Sequence, residues 1–241
     1  MQTENVELIQ ECKSCGFSGN ENFCSRCGLA YKTKRISMPG LLRDVFHFFT
    51  HLDKGFGYTV KRLIFAPGYM QREYIEGDRS RHQKPFSMFF ICATIAALSR
   101  YWIFQFLIKY YHTGNISEAN FFHEYMVIFN IILLPLHAFF IYLLFYKAGY
   151  NYAEIGVFVL YSISFFFLIA SCISLLKFIW PELDTAYIEL PVLLIYNTIT
   201  FINFFHKQPP WMAAIKSIIV ILGIFFLIQK LEDFIIKLIS Q

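Results

Sequence analysis

Apolar runs long enough to cross a bilayer fill the chain from Phe86 onward. A hydrocarbon core of about 30 Å takes about 20 apolar residues in a helix. Inside lipid, only helices and closed barrels satisfy every backbone polar group. The runs read as five helical spans, at residues 86–108, 125–146, 155–176, 190–205 and 213–228, the last continuing into an amphipathic tail over 230–239. The run at 190–205 is short and rich in Asn and Thr, so a four-span count with that segment buried or re-entrant stands beside it. Composition argues the same way. Hydrophobic residues make up 56% of the chain and charged residues 16%, against about 25% charged in a soluble domain. A chain of this size has too little interior to hide so much apolar surface. Disordered, collagen-like and disulfide-rich secreted chains are excluded, and an ordinary soluble enzyme is disfavoured.

The N-terminal third is built differently. Residues 1–85 carry 13 of the 21 Lys and Arg and 9 of the 17 Asp and Glu, so the whole net charge of +4 sits ahead of the spans. Four of the six cysteines lie within residues 12–27, as Cys12-Lys-Ser-Cys15-Gly16 and Cys24-Ser-Arg-Cys27-Gly28, with eight residues between the pairs. Four thiolates at this spacing can converge on one tetrahedral Zn²⁺, and a glycine after each pair suits a backbone with positive φ. So short a segment cannot build a core, so metal binding itself would supply its folding energy. Iron is the alternative ion, and two disulfides or a redox pair the metal-free alternatives. Disulfides need an oxidising compartment, whereas Glu4, Glu7 and Glu11 ahead of any apolar stretch do not read as a secretory signal. Four cysteine ligands leave no open position, so the expected role is structural.

Three parts follow: a zinc ribbon at 1–31, basic amphipathic juxtamembrane helices at 32–84, and a membrane bundle at 85–241. In the middle part Leu41, Leu42, Val45, Phe48, Phe49 and Leu52 form one helical stripe. Residues 58–65 and 69–76 read as two more helices, separated by Pro67-Gly68 and closed by Gly77. Such helices either lie on a membrane surface or pack on the ends of the bundle. His47 and His51, with Asp44 a turn before, have the spacing of a weak second metal site.

Arg72, Arg79, Arg81 and Lys84 precede the first span, and Lys109 alone follows it closely. The positive-inside rule then puts the N-terminus in the cytoplasm, where thiols stay reduced, and with five spans the C-terminus lies outside. Polar groups within spans are candidate functional residues: Arg100, Asn130, His137, Asn197 and Asn203. Interhelical hydrogen bonding is their plainer use. Glu124, Glu154 and Glu189 all lie at span ends, which weakens a proton- or sodium-coupled mechanism. Metalloprotease, P-loop, nucleophile-elbow and dinucleotide motifs are missing.

The chain resembles a bacterial family of unknown function whose members join an N-terminal double-CxxC zinc ribbon to a multi-pass membrane region. The similarity runs through Cys12, Cys15, Gly16, Phe23, Cys24, Cys27 and Gly28, then Arg35-Ile36-Ser37, Leu52-Asp53-Lys54-Gly55-Phe56, Tyr58-Thr59, Pro67-Gly68, Tyr74-Ile75-Glu76-Gly77, Arg79 and Lys84-Pro85. It covers about the first 90 residues well and the stretch from Pro135 to Tyr161 loosely. The resemblance implies a bacterial inner-membrane protein and supplies no activity.

The expected fold is thus an all-α multi-pass helical membrane protein with a small N-terminal four-cysteine zinc ribbon. The expected function is a non-enzymatic adaptor or scaffold, with a cytoplasmic ribbon that recruits a protein partner. The alternative is a small-solute transporter or channel with the ribbon as a regulatory module. Lys13 and Arg26 are the only cations within 12–31, too few for a phosphate-backbone patch, so no nucleic acid is expected.

Overall fold

The computed structural model describes residues 10–32, 35–41, 55–111 and 126–239. The His47/His51 pair, Asp44 and most of the first amphipathic stripe lie outside the described residues.

Two short strands, β1 (Gln10–Glu11) and β2 (Ser18–Gly19), pair antiparallel in the N-terminal module. Helix α1 (Phe56–Phe65) and helix α2 (Tyr69–Glu76) follow as a hairpin. The bundle consists of α3 (Pro85–Tyr111), α4 (Met126–Leu144), α5 (Tyr152–Ser174, continued as a 3₁₀ turn at Leu175–Phe178), α6 (Ala186–Phe204) and α7 (Pro210–Ile239). Among the described residues, α3, α5 with its 3₁₀ extension, α6 and residues 210–227 of α7 are each long and apolar enough to cross a membrane. Helix α4 has 19 residues, about 28 Å at 1.5 Å per residue, and its described part, Ile132–Leu144, is a shorter apolar helix. The tail at 230–239 continues α7 without a break, as its periodicity predicts.

Helix α5 is the axis of the bundle. It packs most extensively on α3 and then on α4, while α6 pairs with α7. Its start is set locally: Asn151 Oδ1 accepts from the Glu154 amide at 2.9 Å, and Glu154 Oε2 accepts from the Asn151 amide at 2.8 Å, a reciprocal cap that satisfies two amides with no helical partner. Its interior carries hydroxyls that need no outside partner. Ser162, Ser164, Ser171 and Ser174 each donate to the carbonyl one turn back, at 2.6–2.9 Å, which makes them tolerable in an apolar bundle.

An aromatic cluster closes the end of the bundle nearest the N-terminal module. The Phe145 and Phe205 rings stack with centroids 3.9 Å apart, and Tyr150 stacks on Phe204 at 4.6 Å. Such pairs add about 0.5–1.5 kcal/mol each beyond the area they bury. Of the aromatics at the helix ends, Tyr110, Tyr111, Trp180, Tyr187 and Trp211 stay exposed, the places an interfacial belt would use, while Tyr150 and Tyr152 are half-buried.

Candidate metal centre and the polar junction beside it

The four-cysteine module is two copies of one turn, twelve residues apart. In the first, the Cys12 amide donates to Phe17 O and the Gly16 amide to Cys12 O. In the second, the Cys24 amide donates to Leu29 O and the Gly28 amide to Cys24 O, all four bonds measuring 2.7–2.9 Å. Glu11 pairs with Ser18, and Phe23 bridges Ala30 in the same register. Gly16 and Gly28 have φ of +71° and +73°, the left-handed conformation in which a side chain is strained.

The turns bring Cys12, Cys15, Cys24 and Cys27 together, with all four Sγ atoms within 4.8 Å of one another. Cys12–Cys27 and Cys15–Cys24 are each 3.5 Å apart. That is too far for a disulfide, whose sulfurs lie about 2.05 Å apart. Tetrahedral thiolates with metal–sulfur bonds of about 2.3 Å lie about 3.8 Å apart, so the set fits one metal ion. The backbone is poised for thiolate. At Cys24, loss of hydration pushes the thiol up, but the amides of Cys27 and Arg26 and the neighbouring thiols outweigh it and bring it down to about 6. At Cys12 the same contest, won by the amides of Cys15 and Ser14, also ends below the ordinary value. Cys27 goes the other way: the Leu29 amide favours its thiolate, yet burial and three nearby sulfurs hold it at about 12. Four sulfurs cannot all shed their protons without a cation among them.

The module is docked. Lys13 Nζ donates to Glu76 O at 2.5 Å, Ser14 Oγ lies 3.4 Å from Ser80 Oγ, and Arg81 donates to Ser14 O. The linker is clamped as well. Arg35 grips the carboxylate of Glu154 with two bonds of 2.6 and 2.8 Å and donates to Gly149 O, while Asn151 Nδ2 donates to Ile36 O. Glu154 is thus both the helix cap and the linker's anchor. A cleft of about 290 Å³ lies where module, linker, hairpin and bundle meet, with Lys13, Arg35, Glu76, Glu154 and Lys207 in its walls. Tyr150, also in its wall, has its phenol pushed up to about 12, by burial first and then by Glu76.

The α1–α2 hairpin packs on the bundle. Arg62 joins it internally to Glu73 at 2.5 and 2.6 Å. Gly68 has φ +83°, and a Cβ there would lie 2.3 Å from Thr200 O. Asn203 Nδ2 donates to Pro67 O and Tyr196 Oη to Leu63 O. Ahead of α3, the backbone of Gln83 is held on both sides: its amide donates to Thr59 Oγ1 at 2.8 Å and its carbonyl accepts from Tyr161 Oη at 2.5 Å. His82 is buried between Tyr58 and Tyr74, and burial lowers its imidazole below the ordinary value. Packing on the bundle therefore accounts for one face of the hairpin, while Ile64 and Phe65 stay exposed.

The intramembrane candidates do not form one site. Arg100 lies 3.5 Å from Glu189, which sits in the first turn of α6, at the span end where the hydropathy run puts it. Asn197 Nδ2 bonds Leu193 O within its own helix, and Asn203 tethers Pro67. His137 is buried, with no partner for Nε2 among the described residues. Asn130 lies in α4, its side chain outside the described set. Sequence reasoning missed Glu154, Gln83 and Tyr161 as junction residues. Their partners lie 24 to 119 positions away, so no local pattern marks these pairings, although the Asn151–Glu154 spacing is that of a helix cap.

Fold and site together define a multi-pass helical membrane protein with an N-terminal four-cysteine cluster able to hold a metal ion. A family described as "Protein of unknown function (DUF3667)" matches residues 53–97, which span the hairpin, the Gln83 junction and the first half of α3. No curated protein and no solved structure matches the chain.

Proposed function

We propose that the chain is a non-enzymatic membrane adaptor, whose cytoplasmic ribbon is folded by one structural zinc ion and recruits a protein partner. The observation that carries this reading is how the module spends its apolar residues. Its core is Cys12, Cys24 and Tyr31, with Cys15 and Leu29 against it. Phe17 and Phe23, which could have enlarged that core, are 42% and 62% exposed. A closed four-thiolate site has no open position for catalysis, so the module's chemistry is its surface. Lys147 and Lys207, in the two loops on the module's side of the bundle, add to Arg72, Arg79, Arg81 and Lys84 ahead of α3 and outnumber Lys109 and Lys177 at the other end, which favours a cytoplasmic setting for the module.

A photo-crosslinking residue at position 23, used in native membranes, tests the reading, with metal content measured in parallel. The expected result is one zinc per chain and a discrete protein adduct that Cys24→Ser abolishes. Adducts only with lipid or with the chain itself overturn recruitment.

A second reading, a small-solute transporter or channel regulated by the ribbon, stands on the Arg100–Glu189 pair, whose Glu189 Oε1 has no partner among the described residues. Liposomes holding a pH-sensitive dye would show a Glu189-dependent leak under this reading and none under the adaptor.

A further inference from the structure

We infer that the cleft between the ribbon and the bundle is a binding site for a phosphate-bearing anion, and that it is complete only when the ribbon holds its metal. The inference rests on the zinc-folded ribbon proposed above.

The size and lining of the cleft select the ligand class. Pockets for organic ligands run from about 300 to 1,000 Å³ and are mostly apolar. This one is about 290 Å³, and five of its nine lining residues are charged, so it suits a small charged group. The balance of those charges decides the sign. Glu154 is spent: both its oxygens accept from Arg35, and one also accepts from the Asn151 amide. Lys13 is bonded only to a backbone carbonyl, that of Glu76, so no carboxylate bonds its ammonium. Lys207 is exposed and has no hydrogen-bond or ion-pair partner among the described residues. Two lysines thus face the single remaining carboxylate, Glu76. Two ammonium groups beside a held guanidinium suit phosphate oxygens.

The site is assembled from five separate stretches of chain, the hairpin supplying Ile75 and Glu76. Lys13 comes from the ribbon, Arg35 from the linker, Tyr150 from the turn before α5, and Lys207 from the turn between α6 and α7. Lys13 stands between Cys12 and Cys15, inside the first cysteine turn. Its place over the cleft therefore depends on whatever holds that turn folded. Loss of the metal removes one of the two free cations and the wall that carries it. The cleft opens beside the start of α5 and the end of α6, the ends of two apolar helices long enough to cross a membrane, so the phosphate can belong to a lipid or to a free solute.

The test uses the zinc-loaded full chain in an uncharged detergent, titrated with inorganic phosphate and with dioctanoyl phosphatidic acid. Dioctanoyl phosphatidylcholine is the control, and zinc is measured in the same sample. One of the first two probes binds and the control does not. Phosphate alone binding identifies a free solute, and phosphatidic acid alone a lipid. Lys207→Gln, at an exposed loop position that no fold contact uses, weakens binding about fivefold or more. Lys13→Gln and removal of zinc by chelation weaken it comparably. A zinc-loaded chain that binds neither probe, or binds them equally well after Lys207→Gln, overturns the anion site and leaves the adaptor reading intact. Unchanged binding after chelation overturns the metal dependence. A chain that purifies without zinc overturns the structural-zinc reading itself.

Discussion

The four-cysteine module and the α1–α2 hairpin are both short, core-poor segments ahead of the bundle, and they solve the same problem in opposite ways. The module closes on itself: its turn bonds, strand pairing and sulfur contacts span at most 15 positions. The hairpin borrows its order from the bundle, through Asn203 on Pro67, Tyr196 on Leu63 and the backbone of Thr200 and Phe204 against Gly68. Four sulfurs able to hold a metal ion stand in for a hydrophobic core in the first case, and a preformed helical surface replaces it in the second. The module should therefore fail alone, and the hairpin should fail with the bundle.

The largest expected effect is loss of the metal. Structural zinc contributes roughly 10–16 kcal/mol to small zinc modules. Cys24→Ser should leave residues 10–32 open to limited proteolysis and zinc-free. The bundle keeps its capped α5 and its helix packing, so its melting temperature in detergent should move by only a few degrees. The docking bonds of Lys13, Ser14 and Arg81 set the size of that shift. A collapse of the whole bundle would show that the module is a brace, and the contrast between the two regions would fall.

Next comes Gly68→Ala. A Cβ there meets Thr200 O and demands a left-handed backbone from alanine, so about 2–4 kcal/mol should be lost. Thermal unfolding should reveal it while the metal content of the four-cysteine cluster is unchanged from wild type. A neutral result would mean that the hairpin is not seated on α6.

Glu154→Gln is expected to cost less, about 1–2 kcal/mol. It keeps an acceptor for the helix cap and removes the charge that holds Arg35, which is 60% exposed and can rehydrate. Faster proteolysis beside Arg35 with the module's metal content unchanged would confirm that the clamp joins the two regions without folding either.

The smallest effect is a slope with pH. Burial depresses His82 in the folded chain, Asp78 and Glu73 oppose the shift, and Arg62 and Arg81 add to it. The unfolded imidazole titrates near 6.5, so below that pH the unfolded state binds more protons. Stability is full above 6.5, falls as pH drops through the lower folded value, and then levels off. The slope cannot exceed about 1.4 kcal/mol per pH unit for one group. Melting temperatures between pH 5 and 7.5 should show it in the wild type, and His82→Gln should flatten it.

Sequence alone determined what depends on neighbours along the chain. Two CxxC-Gly units twelve residues apart dictate two identical turns, two glycines with positive φ and four converging sulfurs, because every bond involved is local. Apolar runs dictate helices, because lipid leaves the backbone no other partner. The tertiary structure decided the rest. Hydropathy placed Glu189 at a span end, and the structure keeps it in the first turn of α6 but sets Arg100 of α3 against it, a pairing no hydropathy run shows. Asn203 read as a polar lining residue and proved to be the tether of Pro67. Gln83 and Tyr161 carried no functional mark and Glu154 read only as a span-end acid, because a buried carboxylate or a held carbonyl is defined by a partner 78 or 119 positions away. Whether the module hangs free or docks was decided by Lys13, Ser14 and Arg81, three polar residues with no distinguishing pattern, and only the packed bundle brings their partners within reach.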